Sequence, residues 1–135
     1  MLEALDGPPH DKVIFDKRTH SSRRITMNIE SVPFQFIDWT QAPQTTHPGE
    51  PGVATWRTVE AGNVRARIVE YSPGYRADHW CSRGHVIHVL EGELVTEVQG
   101  GPTHVLTAGM SYIVSSGLAP HRSSTGTGAR LFIVD

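Results

Sequence analysis

Three histidines and the single cysteine of the chain lie at a spacing that suits a metal site. His79 and Cys81 are two residues apart, His85 follows after a short turn, and His121 begins a later run. On an extended strand, a two-residue spacing puts both side chains on the same face. Imidazole nitrogen and thiolate sulfur are good ligands for zinc and the later first-row metals. The four residues therefore predict one divalent-metal site, if the fold brings His121 to the others.

Each of these residues also has an ordinary structural interpretation. Cys81 could be a small buried hydrophobe, and His85 a hydrogen-bonded core histidine. His88 lies three residues after His85, so on a straight strand it points to the opposite face, and we interpret it as structural. Asp78 and Trp80 alternate with the first two candidate ligands, so we expect both to face away from the metal.

Composition narrows the class of protein. The chain has 135 residues, enough for one domain with one core, and a formal net charge of -2. This charge gives no electrostatic case for a nucleic-acid partner or an anionic membrane surface. No apolar run approaches the span of a bilayer, and the N-terminus lacks the features of a secretory signal. With one cysteine available and no intrachain disulfide possible, we expect a cytoplasmic protein.

The chain divides into two parts by composition. Residues 1–26 are rich in polar and turn-forming residues, and only Val13-Ile14-Phe15 could pair on a sheet edge. We interpret this segment as a tail, or as an arm that docks on the body or on a second subunit. Residues 27–135 are predicted to form the folded domain.

The second part reads as short strands separated by turns. Runs at 53–60, 63–71, 85–90, 92–98, 103–107, 111–114, 121–124 and 129–134 are β-rich and bounded by Gly, Pro or Asn. Residues 38–52 are rich in Pro, Gly and Thr, and predict a long loop with one short helical turn near Trp39. No stretch shows the period of a normal helix. The punctuation predicts an all-β antiparallel sandwich or barrel.

The order of these residues resembles the cupin family, which has two motifs: G-x5-H-x-H-x3,4-E-x6-G and G-x5-P-x-G-x2-H-x3-N. The first is matched by Gly74, four residues, His79-x-Cys81, three residues, His85, six residues and Gly92; the second by Gly109, five residues, Ser115-x-Gly117, three residues and His121. The string Asp78-His79-Trp80-Cys81 most resembles a small bacterial cupin group named for Asp, His, Cys and Trp. The resemblance implies a cupin-type double-stranded β-helix, or jelly-roll barrel, with little helix.

Departures from the family pattern bear on the metal. Cys81 stands where the family has a second histidine, and His85 stands where it has a glutamate. Three imidazoles and a thiolate are a softer set than three imidazoles and a carboxylate. The set therefore favours zinc over manganese or magnesium, with iron, cobalt and nickel remaining open. Ser115 replaces a proline, and the gap before His121 is one residue longer than usual.

Two classes of function follow from this site. A metal in a small barrel could serve an enzyme that acts on a small molecule: an isomerase or hydrolase with zinc, or a dioxygenase-like oxidoreductase with iron. A three-histidine set without Cys81 resembles the site of cupin thiol dioxygenases. Alternatively, a closed His3Cys site suits a non-enzymatic, metal-dependent small-molecule-binding module.

The remaining expectations concern substrate and subunits. Tyr75, Tyr112 and Arg122 are the candidate substrate-binding residues. Core packing of the tyrosines and a solvated arginine are the alternatives for these positions. The cupin resemblance also implies a homodimer.

Overall fold

The computed structural model describes residues 12–16 and 21–135, and this part of the chain is all-β, without a helix. This confirms the predicted fold class. In this part of the chain, no helix is long and apolar enough to span a membrane. The strands are β1 (Lys12–Asp16), β2 (Ser21–Ile25), β3 (Gln44–Pro48), β4 (Val53–Ala61), β5 (Val64–Tyr71), β6 (His85–Val98), β7 (Thr103–Thr107), β8 (Ser111–Val114), β9 (His121–Ser124) and β10 (Ala129–Val134).

Strands β1 and β2 form a two-stranded antiparallel sheet of their own, separate from the main sheet. The run Val13-Ile14-Phe15 therefore pairs with β2 and not with an edge of the barrel. The division into a 1–26 arm and a 27–135 domain stays a prediction.

The other strands follow the order β3-β4-β5-β10-β6-β7, and β8 and β9 also pair with β6. All of these pairs are antiparallel. The runs predicted at 103–107, 111–114, 121–124 and 129–134 are β7 to β10 with the same bounds. Their turn residues and alternation were sufficient to place them.

The segment from 38 to 52 differs from its prediction. The turn near Trp39 is present, with Ala42 N–H donating to the Trp39 carbonyl at 3.3 Å. The long loop, however, contains β3, which pairs with β4. This strand is mostly exposed at the edge of the sheet and ends at Pro48, so it needs little apolar sequence and was missed.

Strand β6 is one continuous strand where the sequence predicted two separate runs, at 85–90 and 92–98. Its first half pairs with β8 and β10, and its second half pairs with β7 and β9. Between the halves, a bulge inserts Leu90 opposite β10, and Gly92 follows with a φ of 78°. A Cβ at Gly92 would lie 2.1 Å from the Gly128 carbonyl oxygen, so only glycine fits this corner.

The core lies between β5, β6 and β10. Its largest fully buried side chains are Val69, Ile87, Val89, Leu94 and Leu131. They come from both halves of β6 and from its neighbours, so the corner at Gly92 is what allows them to meet. Val69 and Ile87 also line the polar cavity described below.

We expect Gly92→Ala to lower the free energy of unfolding by at least about 2 kcal/mol more than Gly100→Ala, measured by urea denaturation. Both glycines have positive φ, 78° and 70°, but nothing lies within 4 Å of a Cβ at Gly100. Gly100→Ala should therefore cost only the left-handed strain, about 1–2 kcal/mol. Equal losses in the two variants would contradict the proposed corner.

Candidate metal centre

Two adjacent backbone segments hold Cys81 and His121 face to face. The Cys81 N–H donates to the His121 carbonyl at 2.7 Å, and the His121 N–H donates to the Cys81 carbonyl at 2.9 Å. This pair is an isolated antiparallel bridge at the start of β9. Residues distant in sequence are thereby fixed side by side, which the metal prediction required.

Cys81, His85 and His121 form one cluster. Their candidate ligand atoms all lie within 4.8 Å of one another. The Nε2 atoms of His85 and His121 are 2.9 Å apart, with ring centroids at 4.9 Å. Three of the four predicted ligands are therefore brought together.

The other nitrogen of each imidazole faces an acceptor. His121 Nδ1 lies 2.9 Å from the Ala119 carbonyl oxygen, and His85 Nδ1 lies 3.4 Å from Asp135 Oδ2. An Nδ1–H that donates to these oxygens leaves the Nε2 lone pair free in each neutral ring. Burial is the largest cause that lowers the pKa of His85 to about 4, so its ring is neutral at pH 7. Two lone pairs thus converge on the same point.

Asp135 supports the cluster from behind. Its side chain is 2% exposed, and it accepts hydrogen bonds from Arg65 Nε at 2.7 Å and Arg67 Nη2 at 2.9 Å. Burial alone would raise the pKa of Asp135. The hydrogen bond from Arg65 and the charges of Arg67 and Arg65 outweigh burial, and the pKa lies below its ordinary value. The ionised carboxylate therefore faces the His85 ring and two guanidiniums at once.

Tyr112 closes one side of the cluster. Its hydroxyl lies 3.3 Å from His85 Nε2, and its ring centroid is 5.8 Å from that of His121. Burial raises the pKa of Tyr112, so the phenol stays protonated and can donate a hydrogen bond. Of the residues predicted to bind substrate, Tyr112 is the one in contact with the cluster.

His79 lies apart from the cluster. Its side chain is 74% exposed, and its Nδ1 lies 2.6 Å from Asp78 Oδ1. The expectation that Asp78 faces away from the site was wrong because residues 78 and 79 form a bend and not a strand. Both side chains line the cavity beside the cluster. Among the described residues, His79 is not one of those whose ligand atoms lie within 4.8 Å of one another. Its role as a metal ligand stays a prediction.

A cavity of about 540 Å³ opens beside the cluster. Tyr75 lines it, is 8% exposed and stacks on Tyr71 with ring centroids 4.3 Å apart. Burial raises the pKa of Tyr75 to about 12. Arg122 also lines the cavity, but its Nε donates to Glu97 at 2.8 Å and its guanidinium lies 4.4 Å from the Trp80 ring.

Several cavity residues were not anticipated from the sequence. Arg65 and Arg67 lie on β5, whose alternation was recognised, but nothing in the sequence indicated that they form one ionic group with Asp135, the residue after β10. His47, expected to be solvated in a loop, lines the cavity and stacks on Trp56 at 3.7 Å between ring centroids. Its place on the missed strand β3 explains the error. His88 lies 2.7 Å from Ser111 Oγ, as expected for a structural residue.

We expect Asp135→Asn to lower the free energy of unfolding by about 3 kcal/mol, measured by chemical denaturation, because it leaves buried guanidiniums without their carboxylate. Glu70→Gln is the control: Glu70 is 64% exposed and lies 3.4 Å from Arg130 Nε. An exposed ion pair contributes little, so the control should stay within about 1 kcal/mol of the parent. A small effect in both variants would exclude a structural role for the buried carboxylate.

Comparison with known structures supports the architecture. The chain superposes on an RmlC-like cupin from Shewanella frigidimarina with a TM-score of 0.64 and 21% identity, covering 77% of this chain and 91% of that one. It superposes on the polyketide cyclase RemF from Streptomyces resistomycificus with a TM-score of 0.60 and 21% identity, covering 76% and 78%. It superposes on the Cnp3 cupin domain from Schizosaccharomyces pombe with a TM-score of 0.58 and 11% identity, covering 92% of this chain and 83% of that one. At identities of 11–21%, the likeness to these structures shows the fold alone.

Sequence comparison gives the family. No curated protein is similar enough to match the chain. Residues 67–134 match the sequence model of the Cupin domain, and this span includes His79, Cys81, His85 and His121. The narrower likeness to the group named for Asp, His, Cys and Trp stays a prediction. The antiparallel barrel and this match together show that the chain belongs to the cupin family.

Proposed function

We propose that this protein is a metal-dependent cupin that acts on or senses a small molecule in the cavity beside Cys81, His85 and His121. The observation that carries the proposal is the 2.9 Å approach of the two Nε2 atoms. Both nitrogens belong to rings whose Nδ1 atoms face acceptors. Two lone pairs at this distance repel each other unless a proton or a cation lies between them.

The residues around the cluster fit a metal better than a shared proton. Ligating histidines commonly donate their second N–H to a carbonyl or a carboxylate, and Ala119 and Asp135 offer these acceptors. The low pKa of His85 disfavours a proton on this ring at pH 7. A thiolate from Cys81 would add a negative charge beside the two neutral imidazoles.

The donor types favour zinc, with iron, nickel and cobalt as alternatives. When bound, such an ion would supply Lewis-acid chemistry or activate a bound water, and iron would add redox chemistry. His79 is the candidate for a fourth ligand. If His79 does not bind, three protein ligands leave a position free, as in catalytic zinc sites.

The chain's own residues then have distinct tasks. Asp135 and Ala119 orient the two imidazoles. The protonated Tyr112 hydroxyl can donate a hydrogen bond at the cluster, and Tyr75 and Tyr71 line the cavity with aromatic surface. These tasks suit an enzyme that polarises a small substrate.

A second candidate is a binding module without catalysis. Within the described residues, Asp78 is the acidic side chain that lines the cavity, and Asp135 pairs with two of the arginines that line it. The first contacts His79 and the second is held by Arg65, so neither is free to act as a general base. The structural neighbours are named for different activities, among them a polyketide cyclase and an ectoine synthase. They therefore do not favour one reaction for this chain.

We expect purified wild-type protein to contain about one divalent ion per chain by elemental analysis. His121→Ala and His85→Ala should lose it, and Cys81→Ser should bind it at least about tenfold more weakly. His79→Ala should retain it. His88→Ala is the matched control, because His88 lies on the same strand as His85 but contacts Ser111.

The variants also separate the two candidate functions. Metal lost from His79→Ala would indicate a closed four-ligand site and favour the binding module. Unchanged metal in Cys81→Ser would indicate an open histidine site and favour an enzyme. Wild-type protein that takes up none of zinc, iron, nickel or cobalt would contradict the proposal.

The proposal includes a homodimer in which residues 1–26 act as an arm. Next to this segment, Met27, Phe34 and Phe36 are 78%, 93% and 90% exposed, more than expected for apolar side chains without a partner. The single Cys81 agrees with a reducing, cytoplasmic setting.

A protein that begins at Met27 should keep the melting temperature of the full chain but dimerise more weakly, measured by light scattering after size exclusion. The cupin fold is built from strands β3 to β10, which the truncation leaves intact. Dimerisation at the strength of the full chain would remove the arm from the proposal. A large fall in melting temperature would show that residues 1–26 belong to the domain.

A further inference from the structure

The inner wall of the cavity carries more positive than negative charge. Arg65 and Arg67 share the single carboxylate of Asp135. Arg65 binds it through two nitrogens, Nε at 2.7 Å and Nη2 at 3.0 Å, whereas Arg67 donates through Nη2 alone. The Arg67 guanidinium therefore makes fewer hydrogen bonds to this carboxylate than the Arg65 guanidinium does.

Arg67 is the residue that needs a further partner. Its side chain is 6% exposed, and its Nε has no hydrogen-bond partner in the described structure. Its guanidinium carbon lies 4.3 Å from the centroid of the Trp56 ring, which accepts positive charge on its face but offers no lone pair. A buried cation with unused donors is costly, and an anion in the cavity would lower this cost.

The charges nearer the mouth do not reverse this balance. Arg122 pairs with Glu97, and Asp78, which contacts His79, is the one acidic side chain among the described residues that line the cavity. Arg83 is 56% exposed and its nearest approach to Asp135 is a long 3.8 Å. It adds a further cation along the path by which a ligand would enter.

The rest of the wall is aromatic and aliphatic. Trp56, Tyr71 and Tyr75 line the cavity together with Val69, Ile87 and Ile133. The cavity volume of about 540 Å³ is that of a small-molecule site. The lining therefore suits a ligand with one anionic end and a flat apolar body.

We propose that the cavity binds a small organic carboxylate whose carboxylate group pairs with Arg67 and whose apolar part packs between the aromatic walls. The inference rests on the proposed function, because it takes the cavity beside the metal cluster as the ligand site. A guanidinium and a carboxylate match in geometry and charge. A single incompletely matched arginine favours a monoanion over a phosphate dianion, which would need more donors.

The test uses benzoate as the probe and benzamide as its uncharged match, with titration calorimetry on the full chain, both zinc-loaded and after treatment with a chelator. Inorganic phosphate is titrated in parallel. We expect benzoate to bind at least about tenfold more tightly than benzamide or phosphate, since a hydrogen bond to a charged group contributes about this factor.

Variants locate the carboxylate. Arg67→Gln should weaken benzoate binding about tenfold or more and leave benzamide binding unchanged, and Arg67→Lys should recover part of the affinity. Arg130→Gln is the control, because Arg130 pairs with Glu70 and Glu91 outside this cavity. It should bind benzoate like the wild type. Melting temperature and metal content are measured for each variant.

Three results would overturn the inference: equal affinity for benzoate and benzamide, tighter binding of phosphate, or unchanged benzoate binding in Arg67→Gln. If Arg67→Gln does not fold, Arg67→Lys and the ligand pair on wild-type protein still decide it. Benzoate binding through Arg67 in protein that takes up no metal would contradict the proposed function and leave the carboxylate site standing. Metal uptake without selectivity for benzoate would do the reverse.

Discussion

The corner at Gly92 is the constraint on which the site depends. The thirteen residue steps from His85 to Val98 would span about 40 Å on a straight strand. In the structure, Val98 pairs with His121 at one end of β6, and the ring of His85 at the other end contacts the same residue. Only a sharply bent strand can bring both ends to one histidine. The bulge at Leu90 and the positive φ of Gly92 provide that bend.

A second dependence is electrostatic. Asp135 receives its hydrogen bonds from Arg65 and Arg67 and faces the Nδ1 of His85. The same carboxylate thus fixes the orientation of a candidate ligand and gives two buried cations a partner. This carboxylate contacts both His85 and the arginines of the cavity wall. A change in the position or charge of either group therefore alters the hydrogen bonds of the other. The proposed metal binding and ligand binding would in this sense be properties of one network.

Much of this could be predicted from local patterns. Alternation and turn residues placed most of the strands, because each of those strands has one buried face and a defined end. The motif spacing selected Cys81, His85 and His121, which the fold brings together. These features depend on neighbours in sequence, or on a family pattern that already encodes the fold.

The parts that were missed depend on contacts between distant residues. Edge strand β3 carries little apolar sequence because it has little to bury. The ionic group of Arg65, Arg67 and Asp135 joins the two sides of the β5 to β10 pair. The bend at His79 replaces the strand on which its predicted direction depended. No local pattern contains this information.

The charge of the site links the metal and the ligand. A divalent ion held by a Cys81 thiolate and neutral imidazoles would keep one net positive charge, and the incompletely matched Arg67 would add another. The cluster and Arg67 line one cavity, where Asp78 already contacts His79 and Asp135 is held by Arg65. In a low-dielectric interior, like charges raise each other's energy, and an anionic ligand between them would relieve both. Cys81 and His85 stand where the family has a histidine and a glutamate, so the donor set keeps one negative charge in both cases. A centre of this kind and Arg67 would together carry two positive charges, and one carboxylate in the cavity would halve that excess.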